Sequence, residues 1–277
     1  MANEATAIDG ARQPMPPGEL VRIGSGALTV DVAPDAGGRI AQITQAGVDW
    51  LVGPHDGTPA MIAWGCYPMV PWVGRIRAGR FALQGRRYQL PLNLEGHAIH
   101  GVGFGMPWRL ERHAPTALEL SLVLPEDERW PFGGSAHQRI EVADRRLSLW
   151  LSVTAGAQLM PAVIGWHPWF RKPERIEFSP SLAYPRDAEG MVMLPLVEPP
   201  AGPWDDCFLN DDPVIVHHAG QRLQLASDCR HWVVYDQPAH ATCIEPESGP
   251  PDAFNIGGAA WLAPGATLGA WFTMDWR

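Results

Sequence analysis

The sequence lacks long uninterrupted segments in which helices could form. Of its 277 residues, 29 are glycine and 28 are proline, and the longest stretch without either is 21 residues, 135–155. Each glycine or proline inside a helix costs about 1–3 kcal/mol relative to alanine. This spacing excludes a helical bundle, a coiled coil and a helical solenoid.

Positive charge and paired cysteines are also scarce. Lysine and arginine total 21, with Lys172 the single lysine, and the net charge is −9. No basic run exceeds two residues, so a nucleic-acid partner is not expected. The four cysteines show no C-x-x-C spacing, and residues 1–19 contain no apolar signal-peptide core. We therefore expect a cytoplasmic protein with free thiols.

Continuous apolar spans are missing as well. Two uncharged stretches, residues 147–170 and 253–274, exceed the roughly 18 residues needed to cross a bilayer. Both are interrupted by glycine, proline and polar residues. Buried sheet with turns is the better interpretation, and no membrane association is expected.

The apolar residues that are present follow the two-residue period of β-strands. Hydrophobic residues make up 46% of the chain, which is ample for a folded core. The 21-residue window is interpreted as two strands around a turn at 143–145, because apolar residues at 147, 149, 151 and 153 alternate with others. Further strand-like segments lie at 27–33, 39–44, 80–90 (a hairpin with Gln84-Gly85 at the bend), 118–124, 214–217, 223–226, 231–236 and 267–276.

At least twelve such segments, most of them 8–15 residues apart, predict an all-β fold. We expect a large antiparallel β-sandwich with few short helices. Residues 1–18 are expected to form a flexible N-terminal segment, and residues 19–277 a single domain.

Tryptophan is enriched, with 13 residues against 4 tyrosines and 8 phenylalanines. Large flat rings that carry one donor suit hydrophobic cores, and they also suit sugar-binding clefts. The count alone does not separate these two uses.

Two glycine-rich segments in the first half carry candidate site residues. In residues 71–79, Arg75 follows a glycine and could bind substrate hydroxyls, although a surface arginine in a loop is the simpler alternative. In residues 93–108, His97 and His100 lie three apart, and such a histidine suits acid–base work near neutral pH. The alternative is a loop histidine bonded to the backbone. The glycines forbid the helix that an H-x-x-H metal site requires, so no metal is expected.

Two segments in the second half carry further candidates. His167 precedes a proline and is flanked by aromatic residues, so it is either a partly desolvated functional histidine or a core histidine. Glu245 ends an apolar strand-like run before Pro246 and is a plausible general base. Glu247 and Asp252 compete for that role.

Taken in order, these segments resemble the aldose 1-epimerase (galactose mutarotase) family over nearly the whole chain. The matching segments are residues 71–79 (family pattern P-x-x-N-R-I-x-x-G), 97–101 with 107–108 (the histidine-glycine segment), 165–170 (G-x-H-P-Y-F), 204–208 (D-x-x-F), and 243–246 with 251–255 (the C-terminal glutamate motif). Each motif is weak alone, but five in order are specific. The chain departs from the family at Gly74, where asparagine is usual, at Val102 in place of a glycine, and at Trp169 in place of tyrosine.

The resemblance implies an open cleft on a β-sandwich and cofactor-independent interconversion of the α and β anomers of a free aldose. It implies that Glu245 is the general base at the C1 hydroxyl, that His167 is the general acid at the ring oxygen, and that His100 hydrogen-bonds near them. Further expected substrate-binding residues are Arg75, Asp205, His97 and Trp166. The ring that stacks on the sugar is left open among Trp72, Trp108, Trp166 and Trp169.

Two other functions remain open at this point. A hexose-6-phosphate mutarotase would need a phosphate clamp, which Arg75, Arg77 and Arg80 could supply. A non-catalytic carbohydrate-binding protein on the same fold would need neither Glu245 nor His167. The expected partner in every case is a small sugar, and the expected assembly is a monomer or a homodimer.

Overall fold

The computed structural model describes residues 9–57 and 60–277, and these residues form 24 β-strands. The first twelve are β1 Val21–Ser25, β2 Leu28–Ala33, β3 Arg39–Gln45, β4 Val48–Asp49, β5 Cys66–Met69, β6 Arg75–Ile76, β7 Arg80–Leu83, β8 Arg86–Gln89, β9 Ala98–Ile99, β10 Arg109–Ala114, β11 Ala117–Val123 and β12 Ser135–Ala143. The remaining twelve are β13 Arg146–Thr154, β14 Met160–Ala162, β15 Gly165–Arg171, β16 Arg175–Glu177, β17 Leu182–Ala183, β18 Asp205–Leu209, β19 Val214–His218, β20 Gln221–Ser227, β21 His231–Tyr235, β22 Ala241–Glu247, β23 Ala260–Leu262 and β24 Thr267–Trp276.

Helical structure is limited to short elements. Within the described ranges there is one four-residue α-helix, α1 Ala253–Ile256, and there are three 3-10 turns at Gly10–Arg12, Arg77–Gly79 and Gly103–Gly105. None of the helices in this part of the chain is long and apolar enough to span a bilayer.

Two large antiparallel sheets account for most of the strands, which confirms the predicted all-β class. The first has the strand order β1-β2-β3-β5-β15-β22-β21-β18-β17, with β4 added beside β3. The second has the order β10-β11-β12-β13-β24-β20-β19-β16. Their facing surfaces meet in a common core, where Trp166 of the first sheet and Phe272 of the second have ring centroids 5.8 Å apart. The molecule is therefore a β-sandwich.

The 21-residue window free of glycine and proline forms the hairpin β12–β13, as the alternation predicted. Leu147, Leu149 and Leu151 are at most 1% exposed and face the core, while the intervening side chains point outward. The turn residue Asp144 has a φ of 52°, a left-handed conformation that aspartate tolerates in tight turns. Strand periodicity thus outweighed the absence of helix breakers.

The expected N-terminal segment, residues 1–18, falls into two parts. Residues 1–8 lie outside the described residues. From Asp9 onward the chain packs on the domain: Ala11 is 1% exposed, and its N–H donates to the carbonyl of Asn93 at 2.9 Å. Arg12, in the same turn, forms an ion pair with Glu95. Residues 9–18 therefore contribute to the body of the protein.

A close backbone crossing holds the loop that carries His100. The carbonyl oxygen of Val70 accepts hydrogen bonds from the N–H groups of Val102 and Gly103. Gly101 pairs with Val70 in an isolated β-bridge where the two backbone segments cross. A Cβ atom at Gly101 would be 1.9 Å from the Val70 oxygen, and the φ of Gly101 is +76°. Only glycine fits this position.

We expect Gly101→Ala to destabilise the fold far more than Gly85→Ala. Gly85 has nearly the same φ, +77°, but an added Cβ there would meet nothing within 4 Å. The control should lose about 1–2 kcal/mol from the left-handed backbone. Gly101→Ala should lose about 1–3 kcal/mol more from overpacking. Urea unfolding measures the free energy of unfolding of both variants. Equal losses in the two variants would contradict the claim that the backbone crossing requires glycine at position 101.

Candidate active site

The floor of the candidate site is one face of the first sheet, where residues on adjacent strands stand directly opposite one another. Tyr67 on β5 pairs with His167 on β15, and Glu245 on β22 pairs with Val233 on β21. Gly165 pairs with Glu247 and Trp169 with Cys243, and this register places His167 opposite Glu245. The row Tyr67–His167–Glu245–Val233–Cys207 therefore crosses the centre of the floor.

His167 and Glu245 are the reactive centre of this row. Their Nε2 and Oε1 atoms are 3.3 Å apart, and the residues are 5% and 2% exposed. Pairing between β15 and β22 is interrupted between Gly165 and Trp169, where Pro168 has no backbone N–H to donate. The two side chains are thus brought together by strand register rather than by a flexible loop.

Aromatic rings hold the His167 imidazole from both sides. Tyr67 stacks on it with centroids 4.7 Å apart, and Trp169 stacks on it at 5.5 Å. The Tyr67 hydroxyl donates to the carbonyl of Ile62 at 3.0 Å, which fixes the tyrosine ring in turn. Beneath Tyr67, the fully buried guanidinium of Arg39 lies between Tyr67 and Trp64. This stack holds the plane of the imidazole, and its Nε2 faces Glu245.

Burial shifts the two groups of the pair in opposite directions. Loss of water around His167, reinforced by the positive charge of Arg39, lowers its pKa from 6.5 to about 3. Burial raises the pKa of Glu245 well above its ordinary value; the charges of Glu247 and Asp205 add to this, and that of Arg75 opposes it. Both shifts have the same cause, since a charge in this dry cleft is disfavoured. Protonated His167 is therefore a strong acid, and ionised Glu245 is a strong base.

His100 approaches the pair from the opposite wall. Its φ is 60°, and its N–H donates to the carbonyl of Gly74 at 3.0 Å. The rings of His100 and His167 are perpendicular, with centroids 4.9 Å apart. Burial lowers the pKa of His100 well below 6.5, helped by the nearby His167 and Arg75. Its Nδ1 is buried and has no hydrogen-bond partner among the described residues.

Arg75 is held at the rim by the two-stranded ribbon of β6 and β9. Arg75 pairs with Ile99 in that ribbon, and its Nη2 lies 3.2 Å from Glu95 Oε2. The preceding Gly74, where the family usually has asparagine, has a φ of +53°, and a Cβ there would lie 2.6 Å from Pro251 Cβ. The departure from the family pattern thus has a steric reason in this chain.

Asp205 reaches the site from β18. It pairs with Tyr235 on β21, two residues along the strand from Val233, which pairs with Glu245. Its Oδ2 accepts a hydrogen bond from Arg186 Nη1 at 2.6 Å, and Arg186 also contacts Asp206. Burial raises the pKa of Asp205, while Arg186 opposes that shift. The carboxylate is therefore positioned at the cavity wall by a partner that the sequence did not reveal.

These residues enclose a cavity of about 300 Å³, which lies at the lower end of the range for small-molecule sites. Of the residues expected to act, the cavity wall includes Glu245, His167, His100, Arg75 and Asp205. Trp169, the aromatic residue that replaces the family's tyrosine, also lines it.

Two expected substrate-binding residues do not line the cavity. Trp166 lies next to His167 in β15, so the alternation of the strand turns its ring to the other face, where it packs on Phe272 and is 0% exposed. The Nδ1 atom of His97 accepts a hydrogen bond from the backbone N–H of Ala78 at 3.1 Å. Neither side chain lines the cavity, so the geometry does not support the prediction that they bind sugar.

Sequence reasoning missed several residues of the site. Arg12 and Glu95 at the rim, Arg186 on the wall and Tyr67 in the stack had no motif to mark them. Glu247 was considered only as a competitor of Glu245, yet two residues apart on a strand means the same face. That spacing was the one signal available.

The floor also brings a third ligand-type atom near the pair. One atom each from His167, Cys243 and Glu245 lie within 4.8 Å of one another. Burial, and then the charge of Glu245, raises the pKa of the Cys243 thiol well above its ordinary value. Burial thus favours the uncharged form of the thiol, as it does for its two neighbours.

Comparison with known proteins places this chain in a family. The sequence profile described as aldose 1-epimerase matches residues 19–275. The chain therefore belongs to the aldose 1-epimerase family, as the ordered motifs suggested.

Two curated proteins are similar to part of the chain. The uncharacterized protein YphB of Escherichia coli (strain K12) is 34% identical over 158 residues, which cover 54% of this chain and 51% of that protein. The chain thus spans about half the length of this curated relative, and of YihR from the same organism, which is 27% identical over 157 residues.

Solved structures share the fold over nearly the whole chain. A putative aldose 1-epimerase from Escherichia coli K12 has a TM-score of 0.83 at 23% identity, covering 94% of this chain and 99% of that one. A galactose mutarotase-like protein from Clostridium acetobutylicum also has a TM-score of 0.83, at 16% identity, covering 93% and 95%. These likenesses concern the fold.

We expect the imidazole of His167 to stay uncharged in the empty protein from pH 8 down to pH 5. The physical reason is desolvation, which lowers its pKa to about 3. Imidazole signals in proton–nitrogen NMR spectra report the charge, and the His167→Gln variant identifies the signal. A titration midpoint near the ordinary histidine value of 6.5 would contradict the desolvated geometry.

Proposed function

We propose that this protein is an aldose 1-epimerase that interconverts the α and β anomers of a free aldose. The observation that carries the proposal is the buried pair His167–Glu245, 3.3 Å apart on the cavity floor. The reaction moves two protons, one at O1 and one at the ring oxygen, and both oxygens are bonded to C1. A carboxylate and an imidazole side by side match that requirement.

The pair and the sugar form one proton relay. The Glu245 carboxylate takes the proton of the C1 hydroxyl, and the electrons of that O–H bond form the C1 carbonyl. The bond between C1 and the ring oxygen breaks with its electron pair on oxygen, which takes the proton of His167 Nε2. The products are the open-chain aldehyde, protonated Glu245 and neutral His167.

The second half reverses the first. Rotation about the C1–C2 bond presents the other face of the carbonyl to the ring hydroxyl. His167 takes the proton of this hydroxyl as it attacks C1, and Glu245 returns a proton to O1. The ring closes as the other anomer, both residues regain their starting states, and no cofactor enters the balance.

Burial favours the neutral products of ring opening in this scheme. The reacting form of the pair is the one in which the proton of Glu245 has passed to His167, so ring opening starts from two charged groups and ends with both neutral. Arg75 opposes the pKa rise of Glu245 and thereby helps to maintain the ionised base. The remaining wall residues have binding roles: His100 near the reacting oxygens, and Arg75 and Asp205 at hydroxyls.

The phosphorylated-sugar alternative has less support. Arg77 forms ion pairs with Asp187 and Glu189, and neither Arg77 nor Arg80 belongs to the cavity wall. Within the described residues, three arginines line the cavity against five carboxyl groups: Arg12, Arg75 and Arg186 against Glu95, Asp205, Asp206, Glu245 and Glu247. A doubly charged phosphate would meet mostly acidic groups, so a neutral sugar is the better fit.

A purely binding protein is also disfavoured. Binding of sugar hydroxyls needs hydrogen-bond donors and acceptors, but it does not need an imidazole and a carboxyl group buried side by side. Keeping two such groups out of water costs free energy. Perturbed titratable pairs in a cleft are typical of catalysis.

We expect Glu245→Gln and His167→Asn each to slow anomer exchange by about 100-fold or more, since each removes one proton-transfer group. Polarimetry of freshly dissolved α-D-glucose and α-D-galactose measures the rate. Asp211→Asn, which removes an exposed carboxylate far from the cavity, is the control and should keep the wild-type rate. Wild-type rates in both site variants would refute the assignment.

A further inference from the structure

Glu247 is a second carboxylic acid on the cavity floor. It lies two residues after Glu245 in β22, so both side chains project from the same face of the sheet. It is 0% exposed, and it contributes to the cavity wall. The proton relay described above gives it no role.

Neither oxygen of Glu247 has a hydrogen-bond partner within the described part of the chain. His231 stands opposite Glu247 on β21, but its Nε2 contacts the Tyr184 hydroxyl at 3.2 Å instead. Buried carboxyl groups nearly always have partners in proteins. Both oxygens are closed to solvent in the empty protein although the residue borders the cavity, so a ligand reaches them through a small movement of the side chain.

The surroundings of Glu247 favour its uncharged form. The titratable groups that face it are Glu245 on its own strand, His231 on β21, Cys207 on β18, and Cys229. Of the cavity arginines, Arg75 pairs with Glu95 and Arg186 with Asp205. Burial raises the pKa of Glu247 well above its ordinary value. An unpaired buried carboxylate is costly, so the group keeps its proton.

The neighbouring strand makes room for this side chain. Gly165 on β15 stands opposite Glu247, and a Cβ atom at position 165 would lie 3.2 Å from Glu247 Cγ. The nearest atom to that Cβ would be the carbonyl oxygen of Pro246, at 2.5 Å, so a side chain at 165 would force β15 and β22 apart. The glycine at the start of β15 thus allows the close strand approach beside Glu247.

We propose that Glu247 is a substrate-contacting residue: its protonated carboxyl group donates a hydrogen bond to one sugar hydroxyl and accepts one from the sugar. A protonated carboxyl has one donor and a free acceptor, and a sugar hydroxyl is also both donor and acceptor. This inference rests on the proposed function, because it takes an aldose to be the ligand. It makes Glu247 a determinant of which aldose is accepted.

Two variants of nearly equal size test this role. Glu247→Gln keeps an uncharged donor and acceptor, so its KM for D-glucose or D-galactose should stay within about threefold of wild type. Glu247→Met keeps the length and removes both, so its KM should rise about tenfold or more, with kcat changing less. The melting temperature of Glu247→Met should not fall, because the variant removes an unpaired buried polar group.

Monodeoxy sugars identify the hydroxyl that is contacted. For the wild type and Glu247→Gln, one deoxy analogue should have a kcat/KM about tenfold lower than that of the parent sugar. For Glu247→Met, this analogue and the parent sugar should have the same kcat/KM. An unchanged KM in Glu247→Met, or a loss in Glu247→Gln as large as in Glu247→Met, would overturn the proposal. A fall in the stability of Glu247→Met, or its failure to fold, would overturn it too, by indicating a structural role.

The proposed function is tested separately by the wild-type protein. If the wild type does not accelerate anomer exchange, the function fails. The Glu247 contact is then tested by calorimetric binding of the same sugars. Glu247→Gln should bind within about threefold of wild type, and Glu247→Met should bind about tenfold or more weakly.

Discussion

The site depends on one constraint, the register between β15 and β22. This register places His167 directly opposite Glu245, and it also places Gly165 opposite Glu247 and Trp169 opposite Cys243. A shift by one residue would turn the imidazole into the core and Trp166 into the cavity. The alternation that buries Trp166 against Phe272 is therefore the same feature that presents His167 to the ligand.

The surrounding residues convert this register into reactivity by excluding water. Tyr67 and Trp169 cover the two faces of the His167 ring, and the buried guanidinium of Arg39 lies behind Tyr67. Burial lowers the pKa of His167 and raises that of Glu245, so the acid and the base are both strengthened. Catalytic tuning and packing are consequently inseparable here: the aromatic stack stabilises the sheet and sets the proton affinity of the pair.

The fold and the centre of the site could be predicted from the sequence because both are encoded locally. Two-residue periodicity identified the β12–β13 hairpin, and motif order selected five residues that line the cavity: His167, Glu245, His100, Arg75 and Asp205. The errors arose where the answer depends on which face of a strand a residue occupies or on a distant partner. Trp166 and His97 have side chains that could bind a sugar, but neither faces the cavity. Trp166 packs in the core against Phe272, and His97 accepts a hydrogen bond from the backbone N–H of Ala78. Arg12, Tyr67 and Arg186 reach the site only through tertiary packing.

The central claim is that His167 and Glu245 act as one proton relay rather than as two independent groups. The double variant His167→Asn/Glu245→Gln tests this most directly, compared with each single variant in the same anomer-exchange assay. If the two residues form one unit, removing the second costs little once the first is gone, and the double variant should be within about threefold of the slower single variant. A rate loss equal to the product of the two single losses would contradict the account.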